Sequence, residues 1–213
     1  MLKFKQNDIL VDEKYANRTL EWYSSDDKKS FRKNGDNPYT FNIEYSFNSK
    51  GYRTKEIFDT DKDFILVMGC SYTEGVGLRY DHIWCDILCK KLGIDHLNLS
   101  KSSIGPDIMY FNSYQYIKNE FPIPKLVILQ WPQNARKFFA YKHMQDIVLK
   151  HYSISNLHEN KKDMNWYKNR YCKDLGEMTI SNYLHYNVTN NFWRSINVPV
   201  FNWTWQGDFE PSI

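Results

Sequence analysis

Phe64-Ile65-Leu66-Val67-Met68-Gly69-Cys70-Ser71-Tyr72-Thr73-Glu74-Gly75 is the stretch of this 213-residue chain that decides its fold. The first five residues form a continuous apolar run, the pattern of a central parallel strand buried on both faces. A loop with glycines at 69, 75 and 77 follows. Beyond it, Ile83, Trp84, Ile87, Leu88 and Leu92 recur at helical spacing over Tyr80–Leu92, and Gly93 stands as a stop signal.

The same alternation continues downstream. Further strands are expected over 95–100, over 125–131 with its unbroken Leu126-Val127-Ile128-Leu129, and over 198–205. Helices are expected over 106–119, where a proline occupies the first turn, and over 135–149 and 162–171. A long helix ending near Ile196 would carry Ile180, Leu184, Val188 and Phe192 on one face. Strand and helix thus alternate through residues 63–205, which predicts an α/β fold: a doubly wound, flavodoxin-like parallel sheet. Upstream, Tyr39, Phe41, Ile43, Tyr45 and Phe47 alternate as in a half-buried strand, between turn signals at Asn34-Gly35, Asn37-Pro38 and Asn48–Gly51. Residues 1–60 therefore read as a short β-rich N-terminal extension on an α/β domain of residues 61–213.

Composition excludes several classes of function. At 42% hydrophobic the chain can build a sizeable core. No apolar run approaches the 18 or so residues of a membrane-spanning helix. Residues 1–8 contain no apolar signal core, so a cytoplasmic chain without membrane partners is expected. Its 28 basic and 25 acidic residues leave a net charge of +3, too balanced for a nucleic-acid footprint. With 16 Tyr, 13 Phe and 20 Asn against three Ala, the usage is that of an AT-rich coding sequence, so a lone Tyr or Asn carries less functional weight here. Cys70, Cys85, Cys89 and Cys172 form no Cys-x-x-Cys pair, and Cys85 and Cys89 read as small hydrophobes on one helix face. The six histidines show no metal-ligand spacing, and neither metal nor cofactor is expected.

In an open parallel sheet, ligands bind beyond the carboxyl ends of the strands. Three segments end there: 69–77, 100–106 and 131–136. The first places Ser71 directly after a buried strand. Walker A fails, because five residues separate Gly69 and Gly75 and no lysine follows. The dinucleotide fingerprint fails at Tyr80, and the Gly-x-Ser-x-Gly elbow fails at Thr73. Phosphate binding would want a basic residue in the loop, and the first is Arg79.

Gly69, Ser71 and Gly75 match the Gly-Asp-Ser-x-x-x-Gly block that follows the first strand of SGNH/GDSL hydrolases, with Cys70 in place of the aspartate. The stretch Phe47–Arg53 also resembles the lead-in of members with an N-terminal β extension. The resemblance covers roughly residues 40–205. It implies a serine esterase or acylhydrolase with Ser71 as nucleophile, and an ester substrate, acetylated carbohydrate among the options. Asn98 fits the second block, whose glycine five residues on supplies an oxyanion-hole amide; here that position is Ser103, and Gly105 is the nearest glycine. The third block would fall on Gln133 or Asn134, either of which could donate a carboxamide to the oxyanion. Arg136 could hold a substrate carboxylate or sugar oxygen, or be an ordinary exposed helix residue. Ser71 itself could be a turn residue capping the next helix, and Glu74 reads as a solvated first-turn acid. The family's Asp-x-x-His block, which carries the general base, is absent. Two readings follow: a domain C-terminally incomplete with respect to its base, or a non-catalytic binding or structural module on the same fold.

Overall fold

The computed structural model describes residues 2–4, 8–24, 43–57, 62–132, 136–143, 146–152 and 175–204. In chain order the strands are β1 (Leu2–Phe4), β2 (Val11–Asp12), β3 (Thr19–Leu20), β4 (Tyr45–Ser46), β5 (Phe64–Met68), β6 (Asp95–Asn98), β7 (Leu126–Trp131), β8 (Lys137–His143), β9 (Asp146–Tyr152) and β10 (Val200–Thr204). The helices are α1 (Ser71–Glu74), α2 (Trp84–Leu92), α3 (Pro106–Lys118) and α4 (Leu175–Ser195), with a 3₁₀ turn at Tyr80–His82 before α2.

The described residues form an α/β fold around a parallel four-stranded sheet in the order β10-β7-β5-β6. Counted along the chain, that is the 2-1-3-4 order of a flavodoxin-like sheet. Its register places Leu66 opposite Leu97 on one side and Val127 on the other. Because side chains alternate across a strand, the apolar run 64–68 serves two cores. Leu66 and Met68 pack with Met109, Tyr116 and Trp193 from α3 and α4. Ile65 and Val67 pack with Ile83, Cys85 and Cys89 on the opposite face. Burial on both faces is why the sequence shows a continuous run rather than alternation.

Three expectations need correction. Within 135–149 the described residues are strands and not a helix: β8 and β9 pair antiparallel, and β9 pairs with β1 to give a second sheet in the order β2-β1-β9-β8. Phe138, Phe139, Tyr141, Ile147 and Val148 suit strands, and a partner more than 130 residues upstream completes the pairing. Helix α4 exists, but Ile180 and Leu184 of its supposed apolar stripe are 63% and 55% exposed. It buries Asn182, Thr189, Asn190 and Trp193 instead. Asn190 and Asn202 exchange carboxamide hydrogen bonds at 2.8 and 3.4 Å, and Asn202 Oδ1 accepts from Trp131 Nε1 at 2.9 Å, so the buried amides are satisfied. Third, Glu74 is buried rather than solvated.

The N-terminal strand is described from residue 43: Ile43, Tyr45 and Phe47 are buried with Tyr23, and β4 pairs with β3. Residues 39–42, the helix expected over 162–171, Cys172 and Trp205 lie outside the described residues. Among the described residues, no helix is long and apolar enough to cross a membrane.

Candidate functional site

Ser71 is the first residue of α1, at the carboxyl edge of β5 and two residues past Gly69. The chain turns here because Gly69 has no side chain: a Cβ would lie 2.6 Å from Thr73 Oγ1 and 2.8 Å from Gln130 Oε1. Gln130, fully buried on the neighbouring strand, fixes the turn. Its Oε1 accepts from the Cys70 amide at 3.0 Å, from Cys70 Sγ at 3.1 Å and from Thr73 Oγ1 at 3.0 Å, while its Nε2 donates to Trp131 O at 2.9 Å. Sequence reading passed over Gln130, although a polar residue inside an otherwise unbroken apolar strand is a visible signal.

Asn98 performs the same task from the other side. Its Nδ2 donates to Thr73 O at 2.7 Å and its Oδ1 accepts from the Ser100 amide at 3.0 Å. Lys101 N donates to Gly69 O at 3.0 Å, and Ser102 N donates to Glu74 Oε2. The 100–105 loop is thereby bound to the Ser71 turn at two points. Ser103 follows immediately, with φ +69°, the left-handed conformation that favours glycine. The backbone amides of Ser71, Ser103 and Gly105 have no acceptor among the described residues. The Ser71 hydroxyl likewise has no hydrogen-bond partner among them.

Glu74 anchors the N-terminal segment. Tyr23 donates to its Oε1 at 2.8 Å, and Lys101 Nζ lies 3.6 Å away. Burial raises the Glu74 carboxyl pKa above the ordinary value, against the opposing pull of Lys101, Tyr23 and Ser102 N. Lys101 is itself buried among the rings of Tyr15, Tyr23 and Phe47, 3.3 Å from Asp12. Arg53, 1% exposed, donates to Gly75 O at 2.6 Å, Leu78 O at 2.9 Å and Glu44 O at 3.2 Å, and lies 4.4 Å from the Tyr45 ring centroid. The 8–24 and 43–57 segments therefore clamp the loop that presents Ser71.

Gly105 caps α3 and lies against Arg136: a Cβ on Gly105 would meet Arg136 O at 2.5 Å. Arg136 precedes β8 and is half-buried, not an exposed helix residue. Gln133 and Asn134 lie outside the described residues. No histidine is hydrogen-bonded to Ser71 among the described residues. His82 is exposed, and His96 Nε2 is hydrogen-bonded with Tyr80 OH at 3.2 Å. His185, beside the Tyr110 ring at 5.5 Å, is held neutral: burial first, then the Lys137 charge, pull its pKa down to about 4. Cys85 and Cys89 are buried with thiol pKa values pushed up to about 12 and about 11 by desolvation, so neither supplies a thiolate. Trp203 packs edge-on against Trp84 at 5.7 Å, as a core residue does.

No family model and no curated protein matches the chain.

Proposed function

We propose that the chain is an SGNH-type serine esterase or deacylase. The observation that carries this reading is Ser71, with a hydroxyl that has no hydrogen-bond partner among the described residues, at the carboxyl edge of β5 and at the start of a helix. Backbone amides without acceptors stand in its own turn and in the adjacent loop. Ser71 Oγ attacks an ester carbonyl carbon, its proton passes to a base, and the carbonyl oxygen becomes the oxyanion. The amides of Ser71 and of Ser103 or Gly105, with a carboxamide from Gln133 or Asn134, stabilise that oxyanion; one such donor is typically worth about 10²–10³ in rate. Collapse expels the alcohol, and water then releases the acid from the acyl-serine. The left-handed backbone at Ser103 supports the register with the family's glycine. Acetylated carbohydrate is one substrate consistent with the resemblance.

The second reading is a non-catalytic module on this fold, favoured by the lack of a histidine hydrogen-bonded to Ser71 among the described residues. A serine without a base is a weak nucleophile. Turnover of 4-nitrophenyl acetate by this chain is therefore expected to be slow and to vanish in Ser71→Ala. Turnover equal in both proteins rejects the esterase.

A further inference from the structure

Arg136 is half-buried, and two of its three guanidinium nitrogens, Nε and Nη1, are shielded from solvent and left without a hydrogen-bond partner among the described residues. A cationic donor taken out of water without an acceptor is costly, and groups of this kind concentrate where a ligand completes them.

The position is specific. Arg136 lies five residues beyond Trp131, the last residue of β7, whose carboxyl edge is where ligands of parallel sheets bind. Its carbonyl packs against Gly105. The loop that ends at Gly105 is hydrogen-bonded to Gly69 through Lys101 N at 3.0 Å, two residues before Ser71. Lys137 adds a second positive charge next in sequence, with its Nζ 3.3 Å from Ser181 Oγ. Asp107 Oδ1, which a Cβ on Gly105 would meet at 2.7 Å, accepts from the Ile108 amide at 3.0 Å. A guanidinium presents planar, permanently charged donors that suit a carboxylate.

We infer that Arg136 is an anion-recognition residue, and that the ester taken at Ser71 carries a carboxylate elsewhere in the molecule. The inference rests on the hydrolase reading for the word ester, while the anion site stands on Arg136 itself. It disfavours a neutral acetylated sugar and favours an acidic one or another carboxylate-bearing ester. Arg136 binds the remote carboxylate and orients the scissile carbonyl towards Ser71.

The test has a binding arm and a turnover arm, both on the full chain. Calorimetric titration with succinate at low salt is expected to show binding that weakens as sodium chloride is raised, with none for neutral succinamide. Arg136→Gln should weaken succinate at least tenfold, and Arg136→Lys, which keeps the charge, should lose less. The melting temperature of each variant reports that it is folded, and the lysine variant carries the comparison if the glutamine variant is not. Absence of succinate binding by the wild type, or equal binding by folded Arg136 variants, overturns the anion site. In the second arm, the preference for 4-acetoxybenzoate over 4-acetoxybenzamide should fall tenfold or more in Arg136→Gln. Arg136-dependent succinate binding with turnover indifferent to Ser71→Ala rejects the hydrolase and keeps the anion site. Ser71-dependent turnover with no Arg136-dependent preference does the reverse.

Discussion

Gln130 Oε1 lies 3.0 Å from the backbone amide of Cys70, so a side chain on β7 fixes the turn that leaves β5. The same oxygen accepts from Thr73 Oγ1, and the Gln130 amide donates to Trp131 O. Gln130→Leu keeps the volume and strands these groups in a dry site. Each orphaned polar group costs about 1–3 kcal/mol, so a loss of about 3 kcal/mol or more is expected in urea unfolding. A stability equal to wild type would show that the turn does not depend on this side chain.

Gly69→Ala tests the same turn by sterics. The added methyl meets Thr73 Oγ1 and Cβ and Gln130 Oε1, all within 2.9 Å. Overpacking of this kind typically costs about 1–3 kcal/mol. Chemical denaturation should show that loss, and any Ser71-dependent turnover should fall with it.

Ser103→Gly should act in the opposite direction. A left-handed backbone costs a non-glycine residue about 1–2 kcal/mol, and glycine returns part of this as unfolded-state entropy, about 0.5–1 kcal/mol. The variant is expected to gain about 0.5–1 kcal/mol while retaining its amide. A loss of stability would mean that the serine side chain contributes a contact of its own.

Two buried titratable groups give stability opposite pH slopes. Glu74 has its pKa raised by burial, so the folded state holds the proton more tightly than the unfolded chain. Stability from Glu74 is present below the ordinary carboxylate value and is lost as pH rises through the raised one. Glu74→Gln should flatten that slope in a series of urea titrations. His185 has its pKa lowered to about 4. Its contribution is present above about 6.5, the ordinary imidazole value, and is lost as pH falls towards about 4. NMR titration of the His185 ring should find it neutral at pH 6; a midpoint near 6.5 would contradict its burial.

The sequence alone determined the central sheet. A strand covered on both faces must be apolar at successive positions, so β5 and β7 announce themselves without a partner being known. Gly69, Gly93 and Pro106 mark their boundaries by local backbone chemistry, which needs no tertiary information. The place of Ser71 just past β5 follows from the same local pattern.

Only the tertiary structure decided the rest. Residues 135–149 read as a helix, and Lys137–His143 and Asp146–Tyr152 are strands instead, because β1, more than 130 residues away, supplies hydrogen-bond partners to β9. Glu74 looks like a first-turn acid in any helix; Tyr23 and Lys101 bury it from segments that local sequence cannot bring together. In α4 the apolar residues Ile180 and Leu184 face out, while Asn190 goes inward because Asn202 on β10 pairs with it. Propensity and periodicity are properties of neighbours in the chain, whereas burial of a polar group is set by whether a distant partner satisfies it.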